Sequence, residues 1–267
     1  GTDGYTIGDW GLMNQGHTYV SWNWKAANSQ GSSNTDGSIN TTYTSANTTS
    51  GFSISTYTGT GSNASIGHGL GTIPHWLMFK RLNAGGFDWF CYHRSLGSGK
   101  FILLDTDGGE QSSSSIWQNT TPTSSVITLG GDGGVNASGG TYVCYAFAEK
   151  QGFNRFGTYT GNGSTNGTFI YTGFKPSWVL IKSKGSGTHW RLADNKRDTF
   201  NPSTKQLFTN NNAAEATDSN YAIDFLSNGF KHKNTNSDLN QSSVNYIYIA
   251  FAEEPLVSSN NIPSTAR

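Results

Sequence analysis

Short stretches rich in apolar side chains, several of them readable with a period of two, recur along this chain between polar turn clusters, and no segment carries the longer apolar period of an extended helix. Read on that period, the first half predicts strands over 52–58, 75–82, 88–93, 100–105, 125–129 and 141–148. The second half predicts strands over 156–160, 168–172, 177–183, 188–194, 206–208, 221–226, 229–232 and 245–252. Turn-forming clusters (GTG, AGG, GSG, GGDGG, GNG, KGSG, SNG) separate them. A single helical turn over 213–216 is the most helix the pattern allows. Two stretches break the half-polar rule, YVCYAFAE at 142–149 and YIYIAFAE at 246–253. In each, alternate residues place small side chains and Tyr on one face and larger apolar ones on the other. Both faces are apolar, so these strands must be covered on two sides.

The pattern also occurs twice. ISTYTGTG at 54–61 returns as FGTYTGNG at 156–163, a separation of 102, which Pro74/Pro176, Trp76/Trp178 and Lys80/Lys182 share. The YVCYAFAE and YIYIAFAE strands lie 104 apart, so small loop insertions separate matched strands. A duplication of this size means two copies of one folding unit. The predicted fold class is all-β: two tandem β-sandwich-like repeats, of jelly-roll or concanavalin-like type, with an extended N-terminal arm. The predicted boundaries are 1–50 for the arm and linker, 51–151 for the first copy, 152–255 for the second and 256–267 for a C-terminal tail. The arm holds one strand-like stretch at 19–25 (YVSWNWK) and a Ser/Thr/Asn/Gly run over 28–50 that reads as linker. The short connection at 149–156 predicts copies packed end to end with little hinge freedom.

Composition narrows the function classes. Charged residues make up 13% of the chain, half the roughly 25% of an ordinary soluble domain. Aromatic residues also reach 13%, which argues against disorder and supplies ample area for two cores. Seventeen basic and seventeen acidic residues give no net charge and no basic stripe, which excludes nucleic acid as an expected partner. A surface of neutral hydroxyls and amides is indifferent to salt and suits a saline exterior. No apolar run approaches the roughly 20 residues of a membrane span, so no membrane insertion is expected. Cys91 and Cys144 both fall in the first copy, and Tyr248 stands where the second would have Cys144. They read as buried free thiols rather than as the clamp of a disulfide-dependent fold. With neither an initiator Met nor a signal peptide, the chain reads as a piece of something longer or a processed product.

Candidate chemistry is sparse. The six histidines show no metal-ligand spacing, and DTDGGE at 105–110 misses the calcium-loop pattern, leaving a polar turn. GGDGG at 130–134 is a turn with no helix after it. No Ser-His-Asp order or nucleophile elbow occurs, and Glu149 and Glu253, which do match between copies, read as structural strand ends. No enzyme, metal or cofactor is expected. The best functional case is aromatic. Flat rings beside amides and hydroxyls suit sugar binding, weakly per site and strongly when many copies act together. The candidate ligand-binding set is Trp10, Trp117, Trp89, His93, Trp190 and Arg191. Trp89 and Trp190 sit in a near-repeat (FDWFCYH, THWRLAD) and also read as core. Trp10 and Trp117 stand in polar surroundings and read equally as core or surface.

Long phrases carry a resemblance. WKAANS, NTDGSINTTYTSANTTSGFSISTYTGTGSNASIGHGLGTIPHWLMFK, YVCYAFAEKQGFNRFGTYTGNGSTNGTFIYTGFKPSWVLIK, IDFLSNGFK and YIYIAFAEEP resemble the tandem-repeat region of tail-fibre-like virion proteins of marine bacteriophages. The likeness covers most of residues 19–255. It implies a virion structural and adhesion protein on the extracellular particle surface, a receptor-binding tail-fibre segment recognising host surface glycan or protein. It also implies homotrimers and contact with other virion proteins. It carries over no catalytic or ligand residues. A capsid or tail decoration protein without ligand, and a polysaccharide depolymerase, are the alternatives. The unpaired Cys91 and the absence of an enzyme-like insertion are departures.

Overall fold

The computed structural model describes residues 6–8, 16 and 18–252. The first copy contains β1 (Tyr43–Asn47), β2 (Phe52–Thr58), β3 (Ala64–Gly67), β4 (Trp76–Arg81), β5 (Phe90–His93), β6 (Lys100–Leu103) and β7 (Gln111–Ser112). The short helix α1 (Ser114–Trp117), β8 (Val126–Leu129) and β9 (Thr141–Phe147) complete it. The second copy contains β10 (Asn154–Thr160), β11 (Phe169–Tyr171), β12 (Pro176–Ser183), β13 (Arg191–Asp194), β14 (Lys205–Phe208) and β15 (Ala216–Thr217). A 3-10 turn at Ser219–Tyr221, then β16 (Ile223–Leu226), β17 (Gly229–His232) and β18 (Asn245–Ala252), close it. The architecture is all-β with antiparallel sheets.

One large sheet runs β1-β2-β9-β4-β5-β6-β7 and the other β10-β18-β12-β13-β14-β15. From β2 onward, the first order is matched strand for strand by the second. Each large sheet is backed by a small one, β3-β8 in the first copy and β11-β17-β16 in the second. Three hydrophobic cores lie between these layers. One unites Tyr57, Phe79, Tyr142 and Cys144 of the first large sheet with Ile66, Ile127 and Leu129 of its small sheet. Another does the same in the second copy, with Tyr159, Val179, Tyr246, Phe230 and Ile223. The third joins the two large sheets through Trp76, Cys91 and Phe147 on one side and Trp178, Trp190, Leu192 and Phe251 on the other.

The molecule is therefore a four-layer stack, and the copies meet face to face rather than end to end. The short connection limits how far apart they sit, not which face they present. The two-sided apolar character of β9 and β18 has its cause here, since one face serves the copy's own core and the other the shared core.

A second seam reinforces the first. The turn at 105–110 lies on the turn at 184–187, with Glu110 N–H donating to the Lys184 carbonyl at 2.9 Å and Gly187 N–H to the Asp107 carbonyl at 3.0 Å. That is why DTDGGE is a structural turn. Cys91 and Cys144 are free and buried.

Each copy carries the same lock, which explains the repeated TYTG phrase. Tyr57 stacks on Tyr142 at 5.2 Å and Tyr159 on Tyr246 at 5.0 Å. The Tyr57 hydroxyl donates to the Val135 carbonyl, and the Tyr159 hydroxyl to the Leu239 carbonyl. A buried asparagine ties the same loops. Asn136 Nδ2 donates to the carbonyls of Ser62 and Gly130, and Asn240 Nδ2 to those of Ser164 and Asn234. Gly61 and Gly163 take positive φ (74° and 64°) where the loop bends around that amide. Asn240→Ala orphans buried carbonyls and is expected to cost about 1–3 kcal/mol in urea unfolding.

Two readings of the arm change. Residues 19–25 form no strand, because their aromatic side chains dock without a backbone ladder. Residues 43–47, expected as linker, form the edge strand β1, paired antiparallel with β2 from Tyr43↔Thr56 to Asn47↔Phe52.

Candidate functional site

The shared core is lopsided. Matched strands put Phe156, Leu180, Trp190 and Ile249 of the second copy where the first has Ile54, Met78, Trp89 and Tyr145. The four second-copy residues are buried, whereas their four first-copy counterparts are half-buried. This part of the first large sheet projects past its partner. The arm covers some of it. Trp24 lies edge-on to Phe147 at 6.0 Å and to Trp178 at 5.6 Å, and Trp22 edge-on to Trp178 at 6.4 Å. Between arm and sheet remains an apolar groove of about 420 Å³ lined by Trp22, Trp24, Met78, Trp89, Leu104 and Tyr145, among others.

The groove has one well-supported wall. Trp89 stacks on Tyr145 with centroids 6.1 Å apart and planes 28° from parallel. Its backbone N–H donates to Asp105 Oδ1 at 2.9 Å, which fixes the start of β5. Lys80 Nζ stands 5.6 Å from the Trp89 ring centre and 3.7 Å from Asp105. Asp88, next in the chain, has its carboxyl raised above the usual range by burial and then by the Asp105 charge. Asn23 supplies an exposed amide at the other side. Flat aromatic faces with a few amide, ammonium and carboxylate groups can take a partly apolar, hydroxyl-bearing ligand.

The structure separates the residues proposed from sequence. Trp89 lines the groove. Trp10 lies outside the described residues. Trp117 is 1% exposed, packed 5.3 Å from Phe79 and 6.2 Å from Tyr92, with Nε1 donating to the Lys100 carbonyl at 3.0 Å. Polar neighbours in sequence concealed that α1 turns its ring inward, so it is a core residue and not a surface one. His93 is fully buried between the copies, its Nε2–H on the Tyr248 carbonyl at 3.2 Å. Burial pushes its pKa down to about 3. Trp190 is fully buried in the shared core, 6.0 Å from Trp76, with Nε1 donating to the Leu103 carbonyl at 2.8 Å. Arg191 is buried with Asp238 at 2.6 Å and lies between the rings of Phe208 and Tyr221. None of these four faces a ligand-accessible surface.

Sequence reasoning passed over Trp22, Trp24 and Tyr145. Trp22 and Trp24 stand two apart, which puts both rings on one side of an extended stretch. Among the described residues, no three His, Cys, Asp or Glu side chains gather in a way that would hold a metal ion.

The arm, the groove and both copies fall within one span, residues 1–255, that matches the family model described as Domain of unknown function (DUF7483). The chain belongs to the DUF7483 family. No curated protein and no solved structure matches it. The matched span includes Trp22 and Trp24, so the arm that walls the groove is part of the DUF7483 region together with the two duplicated units.

Proposed function

We propose that this protein is an adhesive part of a phage particle, most simply a receptor-binding tail-fibre segment, and that the groove holding Trp89 takes host surface glycan. The observation that carries the reading is an open aromatic groove at a place whose counterpart in the other copy is buried. A second support is the likeness of the repeated phrases to tail-fibre-like virion proteins. A third is the sparsely charged exterior, whose contacts weaken little in saline. A single stacked ring adds only about 0.5–1.5 kcal/mol beyond burial, so useful affinity requires several copies on one particle. Homotrimers on the virion surface would provide them.

The test is a glycan array, with host-cell binding alongside, read for the wild-type chain and for Trp89→Ala displayed at the same valency. Wild-type binding with at least a tenfold loss in Trp89→Ala is expected, with unchanged circular dichroism. Trp117→Ala is the wrong probe, since it empties a core. Absence of binding at any valency, or equal binding by Trp89→Ala, would overturn the proposal. The first of these outcomes would leave a decoration protein without ligand.

A further inference from the structure

The two copies differ at one long edge. In the first copy, β2 carries β1 along its outer side, and the arm that precedes β1 closes the slot between β2 and β3. Ile39 forms a parallel bridge with Ile66 of β3, donates its N–H to the Ser65 carbonyl at 2.9 Å, and is buried in the first core. Thr44 Oγ1 lies 3.0 Å from Ser55 Oγ. A Cβ on Gly67 of β3 would collide with the Asn34 side chain, so the arm is closely fitted. In the second copy, β10 takes the place of β2 and β11 that of β3, but among the described residues β10 ends its sheet and β11 ends the small one. The connection from β9 to β10 covers only 148–153, too short to double back as a strand.

Among the described residues no strand fills the counterpart slot. It is about 460 Å³, lined by Gly157 and Thr158 of β10, Phe169 and Tyr171 of β11, and Arg94 and Arg155. Phe169 and Tyr171 are 44% and 62% exposed, which is high for large aromatic residues on a strand. The slot is also continuous with the interface between copies, since Arg94 belongs to the first copy and Arg155 to the second. Both guanidinium groups lie near one carboxylate, Glu149, at 3.9 and 2.9 Å. One positive charge is therefore left over.

We propose that the β10 edge accepts an extended polypeptide strand from a partner protein, antiparallel to β10 and resting on β11, as β1 and its leader occupy β2 and β3. The matched registers define the chemistry of that strand. Ala46 faces Ser53 in the first copy, and Arg155 holds the place of Ser53 in the second. The favoured partner strand is thus a Ser/Thr-rich segment with a carboxylate at the position of Ala46. Backbone hydrogen bonds along the edge provide affinity, and the Arg155 contact provides selectivity.

The experiment uses the full chain and synthetic peptides spanning residues 30–48 of this sequence, unaltered and with Ala46→Glu. Amide hydrogen exchange and fluorescence anisotropy are the readouts. Added peptide is expected to slow exchange at 155–160 and 169–171, and the Ala46→Glu peptide to bind about tenfold more tightly. Arg155→Glu, a change on an exposed side chain, is expected to reverse that order in favour of an Ala46→Lys peptide. No protection at millimolar peptide overturns the proposal. So does protection at β2 and β3 instead, or a slot that oligosaccharides protect and peptides do not.

Discussion

Replacing Trp190 with alanine should remove roughly 3–5 kcal/mol of stability, while the same change at Trp89 should remove less than about 1.5 kcal/mol. The two tryptophans each stand immediately before one of the matched strands β5 and β13, so local sequence does not distinguish them. Their surroundings do. Trp190 is fully buried between the large sheets, against Trp76, and its indole N–H satisfies the Leu103 carbonyl of the other copy. Deleting it empties the shared core and leaves that carbonyl without its donor, and the two losses add. Trp89 is half-exposed on the overhanging part of the first sheet and loses mainly its stack on Tyr145. Urea unfolding of the two variants side by side measures the difference. Equal costs would mean that the copies do not meet as described.

Acid should destabilise the fold steeply well before ordinary carboxylates titrate. His93 lies buried between the copies and His232 inside the second core, and burial pushes both pKa values from 6.5 down to about 3. The folded chain keeps both rings neutral, whereas the unfolded chain protonates them below its own pKa near 6.5. The stability is thus fully present above pH 6.5 and is lost as pH falls from there toward 3. Each histidine contributes a slope of about 1.4 kcal/mol per pH unit in that window. At pH 5 the pair together should have cost roughly 4 kcal/mol.

His232 makes the separate test. Neither ring nitrogen has a hydrogen-bond partner among the described residues, and its counterpart in the first copy is Leu129, also fully buried. His232→Leu is expected to raise stability by about 1–2 kcal/mol at pH 7 and to remove one of the two acid slopes. Urea midpoints from pH 4 to 7.5 provide the measurement. Parallel curves for wild type and variant would refute the assignment.

Strands with a strong two-residue period were legible in the sequence. Those at 52–58, 229–232 and 245–252 end where the pattern said. The strands that escaped, β1 (YTSAN), β3 (ASIG), β7 (QS) and β15 (AT), are short and built mostly of small or polar residues, so their ladder is made by backbone groups that leave no hydrophobic pattern. The two apolar faces of 142–149 and 246–253 already required a covering layer on each side. They could not say that the layer on one side was the other copy. The site was harder. Aromatic residues do line the groove, but exposure is a tertiary property. Trp117 and Trp190 went inside for reasons of packing that their neighbours in sequence do not encode. The groove also depends on an asymmetry between two nearly identical units, which a repeat alignment tends to erase.

The central claim is that the two copies share one core and behave as one body, holding the groove open at a fixed place. Native-state hydrogen exchange on the middle strands β9 and β18 tests it most directly. β18 is buried on both faces beyond Asn245, β9 is buried except at Thr141 and the groove-lining Tyr145, and separating the copies would expose Trp76, Trp178, Trp190 and Phe251 together. Their slowest amides are expected to exchange with one common free energy and one common denaturant dependence. Exchange of β18 at a clearly lower free energy than β9, or the reverse, would show one copy opening while the other stays folded and would contradict the account.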